Sequence, residues 1–381
     1  MHQLSSKSRR ALPSIVCVLT IVAFASASAF IYVAPSSAVT KPRAACQRWK
    51  ISLTPLGRRD GAVIVATPKH VVVWGGDDGT GSNIALSGAS LRLSTMQWEP
   101  MNEPPQSSPQ GVAVTSSDKV LFTPNSPSLF DPVQNTWTTG WEPESIKNPP
   151  LLVETPSSIV VIQLDALRGS NDVSMSSRSG LDETEQLPPP PVRIDYEASA
   201  VWLSKGQTDK HGQIVVVQPS GEHLSLDLTT RTWKQIPNAP LVTVNRNLQA
   251  VVDQSRVAIL GIAPATKTDS PSVAFGFFDV RTEAWSLGPK TAIAPSHLKA
   301  EWGSSPTQPT QLIRSSNGPT NELFLITTNT EGTTRVDQYG TSGNRIATLA
   351  ALPSKLSTKF IRLPSGSIGA LFRNGTWGTI C

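Results

Sequence analysis

Leu129-Phe130-Asp131-Pro132-Val133-Gln134-Asn135-Thr136-Trp137 occurs again, altered in detail, as Leu226-Asp227-Leu228-Thr229-Thr230-Arg231-Thr232-Trp233 and as Phe278-Asp279-Val280-Arg281-Thr282-Glu283-Ala284-Trp285. In all three the aspartate precedes the tryptophan by six positions. An aspartate suits a tight turn because its carboxylate accepts backbone N–H groups two residues on. A tryptophan covers a large apolar area with one flat ring. Each copy therefore reads as the end of one strand, a turn and the start of the next.

Outward from these copies the chain repeats a pattern of four short strands. The first unit has strands at 62–66, 70–74, 90–93 and 97–100, with the turn Thr67-Pro68-Lys69, the pair Gly75-Gly76 and a polar loop from Asp77 to Asn83 between them. The β-branched and aromatic content of these segments, and the Gly, Pro, Asn and Asp residues that bound them, are those of strands. The second unit runs through 111–115, 120–123, 129–131 and 136–137. The third begins at 151–153 and 159–163 and loosens into a Ser-rich stretch over 169–178. It ends at Leu187, which we align with the tryptophan position, followed by Pro188 to Pro191. This reads as a degenerate unit with a long loop, and a disordered linker over 169–180 is the competing reading. The fourth and fifth units, ending at Trp233 and Trp285, are regular. The sixth keeps an aspartate, Asp337, and has Ile346 where the tryptophan would stand.

The C-terminal residues 358–381 supply three strands and no fourth, while 46–55 carry the Trp49-to-Pro55 ending that closes a unit. A ring in which both termini share one sheet accounts for the two fragments and leaves neither as an exposed edge. A four-stranded unit of about 40 to 60 residues belongs to propellers rather than to sandwiches or barrels. The expected fold is all-β, a seven-bladed β-propeller with six blades as the alternative, preceded by an N-terminal hydrophobic helix.

The formal charge of +5 is confined to the leader. Residues 1–45 hold Lys7, Arg9, Arg10, Lys41 and Arg43 and no acid, so removing five from 33 basic residues leaves 28 against 28 acidic ones. A neutral body gives no electrostatic footprint for nucleic acid. The organisation is then a basic cytosolic segment 1–10, an uncharged apolar run 11–34, a linker 35–45 and the propeller 46–381. Positive charge ahead of an apolar run is the mark of export. Two fates are open for it: cleavage after Ala29 or Ala38, or retention as a membrane anchor of about the 20 residues that span a bilayer. Either places the body outside the cytosol, secreted or anchored. In an oxidising compartment Cys46 and Cys381, the two thiols of the body, are expected to form a disulfide across the closing blade.

On Gly75-Gly76, the three Asp-to-Trp endings, and an arginine shortly before a first strand at Arg59 and Arg246, the chain resembles the kelch-type β-propellers, the class that includes the galactose oxidase central domain. Copper radical chemistry of that class requires a Tyr joined to Cys with further Tyr and His ligands. The body holds two Tyr, and its His residues, 70, 211, 223 and 297, lack a short ligand spacing. No metal site and no cofactor are expected. Propellers bind at loops that join one blade to the next and at loops between second and third strands. The first group supplies the candidate ligand-binding residues Arg58, Arg59, Asp60, Arg193, Asp195, Tyr196, Arg246 and Asn247, whose guanidinium groups suit carboxylates or phosphates. The second supplies Asp77, Asp78, Glu222 and His223 among others. No catalytic residue is assigned. The reading is a binding or scaffold module at the cell envelope with a protein or glycan ligand at its rim. A hydrolase or lyase acting on a glycan or other anionic substrate at the channel is the alternative.

Overall fold

The computed structural model describes residues 49–380 except 60–61, 78–86, 104–112, 117, 123–127, 140–149, 165–171, 178–183, 196, 207–210, 243–248, 268–269, 294–306, 315–321, 330–333, 350–351, 353–356 and 373. The apolar run 11–34, Cys46 and Cys381 lie outside these residues. Among the described residues no helix is long and apolar enough to cross a membrane.

The described strands make seven antiparallel four-stranded sheets. Blade 1 is β2 (Val63–Ala66), β3 (His70–Trp74), β4 (Gly88–Arg92) and β5 (Gln97–Pro100). Blade 2 is β6 (Ala113–Ser116), β7 (Lys119–Phe122), β8 (Ser128–Asp131) and β9 (Thr136–Thr139). Blade 3 is β10 (Leu151–Glu154), β11 (Ser158–Ile162), β12 (Val173–Ser177) and β13 (Thr184–Leu187). Blade 4 is β14 (Ser199–Leu203), β15 (Gln213–Val217), β16 (Leu224–Asp227) and β17 (Thr232–Gln235). Blade 5 is β18 (Gln249–Val251), β19 (Arg256–Ala263), β20 (Ser272–Asp279) and β21 (Ala284–Lys290). Blade 6 is β22 (Thr307–Arg314), β23 (Glu322–Asn329), β24 (Thr334–Gly340) and β25 (Arg345–Thr348). Blade 7 takes β26 (Ser357–Arg362), β27 (Ile368–Phe372) and β28 (Thr376–Ile380) from the end of the chain and β1 (Lys50–Leu53) from its start.

The first strands touch in sequence all the way round, β2 to β6, β10, β14, β18, β22 and β26, and β26 returns to β2. The seven-bladed ring is therefore closed, as the orphan strand at 46–55 implied. β1 pairs antiparallel with β28, Lys50 opposite Thr379 and Leu53 opposite Thr376.

The core is seven apolar wedges, one between each pair of neighbouring sheets. This is why the second strands read as unbroken apolar runs: alternate side chains enter different wedges. On β3, Val71 and Val73 pack toward blade 7 with Leu371 and Trp377, while Val72 and Trp74 pack toward blade 2 with Phe122 and Phe130. A strand buried on both faces has no polar positions to alternate with.

Three parts of the repeat differ from the sequence reading. The Ser-rich stretch contains a strand, β12, paired with β11, in which Val173 and Met175 enter the wedge shared with blade 4 and alternate with the buried Ser174 and Ser176. Leu187 does not occupy the tryptophan position: it stands where Met101 and Ile236 stand, three residues later, and Thr184 takes the tryptophan place, bonded to Ser176. Asp337 is not a turn residue. It lies inside β24, buried, where Arg335, Arg345 and Thr348 donate to its carboxylate.

Candidate functional site

Antiparallel blades sort their connections to two ends. The crossover end carries the links between blades and the loops from second to third strands. The turn end carries the remaining hairpins.

The residues expected to bind lie at the crossover end. Arg58 is exposed, but Arg59 is buried, at 8% exposure. Its guanidinium donates through Nη2 to Ser87 Oγ at 2.7 Å and through Nη1 to the Arg58 carbonyl at 3.0 Å, tying the link between blades 7 and 1 to the inner loop of blade 1. Arg193 is exposed and Asp195 half-buried at the entrance to blade 4, three blades round the ring. The backbone N–H of Asp195 donates to Gln218 Oε1 at 2.7 Å, and the Ala198 N–H closes a turn onto the Asp195 carbonyl. Of the described arginines, Arg58 and Arg59 stand at the entrance to blade 1 and Arg193 at the entrance to blade 4. Asp60, Tyr196, Arg246 and Asn247 fall outside the described residues.

Gln218 and His223 form a feature that sequence reading missed. Gln218 is fully buried, and its Nε2 donates to the Glu222 carbonyl at 2.6 Å while its backbone N–H donates to His223 Nδ1 at 3.2 Å. His223 is 1% exposed, its ring 5.4 Å from that of Trp285, and burial pushes its pKa down to about 4. It is an interior residue of blade 4, neutral at physiological pH, not a rim donor. Gly75 and Gly76 hold φ of 70° and 88°, a conformation that favours glycine, and turn the chain out of β3. Among the described residues no group of three His, Cys, Asp or Glu side chains is placed to hold a metal ion.

An open cavity lies at the turn end. It measures about 840 Å³ and runs beneath blade 1 from blade 7 to blade 2. Blade 7 contributes Lys50, Thr379 and the turn through Leu363 and Ser367. Blade 1 contributes Lys69, His70, Arg92 and Met96, and blade 2 contributes Val133. Two departures from the repeat make it. In blades 2, 4 and 5 a hairpin joins the third strand to the fourth, and its aspartate holds the turn: Asp131 Oδ1 accepts the N–H groups of Val133 and Gln134, and Asp227 Oδ1 those of Thr229 and Thr230. Asp279 Oδ1 accepts the Arg281 N–H, and the Arg281 guanidinium, ahead of the other causes, holds its carboxyl below the usual range. Blade 7 has no such hairpin, because its third and fourth strands are opposite ends of the chain. Blade 1 keeps the turn, with Met96 at φ 56° as Asn135, Arg231 and Glu283 are at φ 51–56°. It carries Arg92 in the aspartate position, six residues before Trp98.

The cavity edge is basic. Lys69 pairs with Asp118 at 2.7 Å and Arg92 with Glu99 at 3.2 Å. Lys50 is exposed and has no carboxylate partner among the described residues. Burial, with Arg92 next, lowers the pKa of His70 and disfavours its charged form. Met96 and Val133 are 49% and 50% exposed beside these cations. The signal for this site was in the sequence, where the Trp98 ending has Arg92 in the place that Asp131, Asp227 and Asp279 take before Trp137, Trp233 and Trp285.

Comparison with protein-family models finds no match, and none is found among curated proteins. Solved structures do match. A streptogramin B lyase structure superposes with a TM-score of 0.59 at 11% identity, over 88% of this chain and 97% of that one. A chain in a crystal structure of the mitotic checkpoint complex superposes with a TM-score of 0.55 at 11% identity, over 95% and 98%. These likenesses bear on the fold, and both agree with a ring of blades that spans nearly the whole chain.

Proposed function

We propose that this chain is an exported, kelch-like propeller that acts as a protein- or glycan-binding module and scaffold at the cell envelope. The observation that carries the reading is the open, basic and partly apolar cavity at the turn end. The propeller fold is compatible with such a role. The basic segment ahead of the apolar run 11–34 supports export, with the run cleaved or kept as an anchor. The Asp-to-Trp endings and Gly75-Gly76 support the kelch likeness. Pairing of Lys50 with Thr379 supports a Cys46–Cys381 bridge, since both cysteines flank that pair closely in sequence. Such a bridge closes a very long loop and contributes about 2–5 kcal/mol. Arg58, Arg193 and the crossover end remain a second surface for the same module.

The test is cross-linking of the full-length tagged chain in intact cells with a membrane-impermeant reagent, followed by mass spectrometry, with a glycan array run in parallel. A discrete partner or glycan, enriched over an unrelated exported propeller, is the expected result. Products that form only after lysis would place the body inside and sink the reading. Enrichment no different from the control propeller would do the same for binding.

A further inference from the structure

We infer that the turn-end groove takes an extended acidic peptide with apolar residues, presented by a partner protein. This rests on the binding-module reading above and states what the module binds. The repeat departs from its own pattern at this place in two ways, and both change the surface in one direction. Loss of the blade 7 hairpin opens the groove and exposes Lys50. Replacement of the turn aspartate by Arg92 reverses a charge that the equivalent turns of blades 2, 4 and 5 carry as negative.

The charges and walls then select the occupant. Asp118 and Glu99 neutralise Lys69 and Arg92 in part, and Lys50 leaves a surplus of positive charge at the edge. Glutamate or aspartate side chains meet that edge, while Met96 and Val133 offer apolar surface to the residues between. A cavity of about 840 Å³ falls within the roughly 300–1,000 Å³ of small-ligand pockets. An extended peptide presents both kinds of side chain along its length, which suits a wall where basic and apolar residues are interspersed, Met96 on the same turn as Arg92. Exposed ion pairs contribute little each and are screened by salt, so affinity comes from apolar contact and selection from charge.

The test uses the full-length chain in phosphatidylcholine nanodiscs and a fluorescent hexapeptide that alternates leucine with glutamate. Versions with glutamine or lysine in place of glutamate serve as comparisons. The glutamate peptide is expected to bind about tenfold or more tightly than the glutamine version, and to weaken as salt is raised. Lys50→Glu and Arg92→Asp are each expected to cost about tenfold in Kd. Arg92→Asp restores the residue type of Asp131, Asp227 and Asp279, so its unfolding midpoint is expected to hold or rise while binding falls. Lys50→Glu sits on an exposed position and provides the second reading. Equal binding of glutamate and glutamine peptides overturns the inference, as does binding unchanged in both variants. Binding to anionic vesicles without binding to the peptide also overturns it, in favour of a membrane surface. A partner cross-linked in cells with no peptide affinity in the groove would remove this inference and leave the binding-module reading standing.

Discussion

His223 shows how much a single interior side chain sets the pH response of a blade. Its folded pKa of about 4 lies below the ordinary value of 6.5. The unfolded chain therefore takes up the proton first, and the stability that the neutral ring contributes is full above about pH 6.5 and is lost as pH falls toward 4. The loss amounts to roughly 2–3 kcal/mol by linkage. Urea denaturation at pH 7.5 and pH 4.5 checks this: the native chain should weaken across the interval more than His223→Gln, whose amide oxygen still accepts the Gln218 N–H. Parallel losses in the two proteins would show that other groups dominate, His70 first among them. Sequence reading placed His223 at a rim because it lies between two strands. Nothing in its neighbours Glu222 and Leu224 announces that Gln218, five residues back in the same loop, and Trp285 of blade 5 enclose it.

The terminal tryptophans act between elements. Trp137 Nε1 donates to the Asn102 carbonyl of blade 1, Trp233 to the Pro188 carbonyl of blade 3 and Trp285 to the Pro237 carbonyl of blade 4. Each indole thus fastens its blade to the preceding one, while Asp131, Asp227 and Asp279 hold the hairpin that leads to it. Trp98 differs. It packs edge-on against Trp377 at 5.8 Å, and its buried Nε1 has no hydrogen-bond partner among the described residues. Trp285→Phe should therefore cost about 1 kcal/mol for the lost bond, and Trp98→Phe should cost less. Equal costs in thermal unfolding would assign the tryptophans to packing alone. The endings were legible because the hairpin needs both residue types at fixed spacing. Blade 3 was misaligned by three positions because Thr184 and Leu187 offer no aromatic mark, and their register is set by pairing with β12.

At the scale of the molecule the ring depends on β1. Without residues 46–55, β28 becomes an unpaired outer strand and blade 7 loses the partner that covers it. Deletion of that segment should lower the unfolding midpoint by about 5 °C or more, and should raise the tendency to self-associate in light scattering. An unchanged midpoint would mean that three strands suffice for the closing blade. Closure was legible from two incomplete fragments at opposite ends of the sequence. The groove was not, because a cavity formed where a hairpin is missing leaves only a gap in the pattern, and Arg92 becomes informative once its position beneath blade 1 is known.

The pairing of β1 with β28 also orders events in time. β1 is made well before its partner β28, so six complete blades can assemble while the seventh waits. A chain that stops before β28 offers β1 nothing to pair with, and its ring stays open at an apolar wedge that holds Leu371 and Trp377 in the finished protein. Closure thereby distinguishes chains that carry β28 from chains that lack it, and leaves the latter with the exposed surface that chaperones and proteases act on.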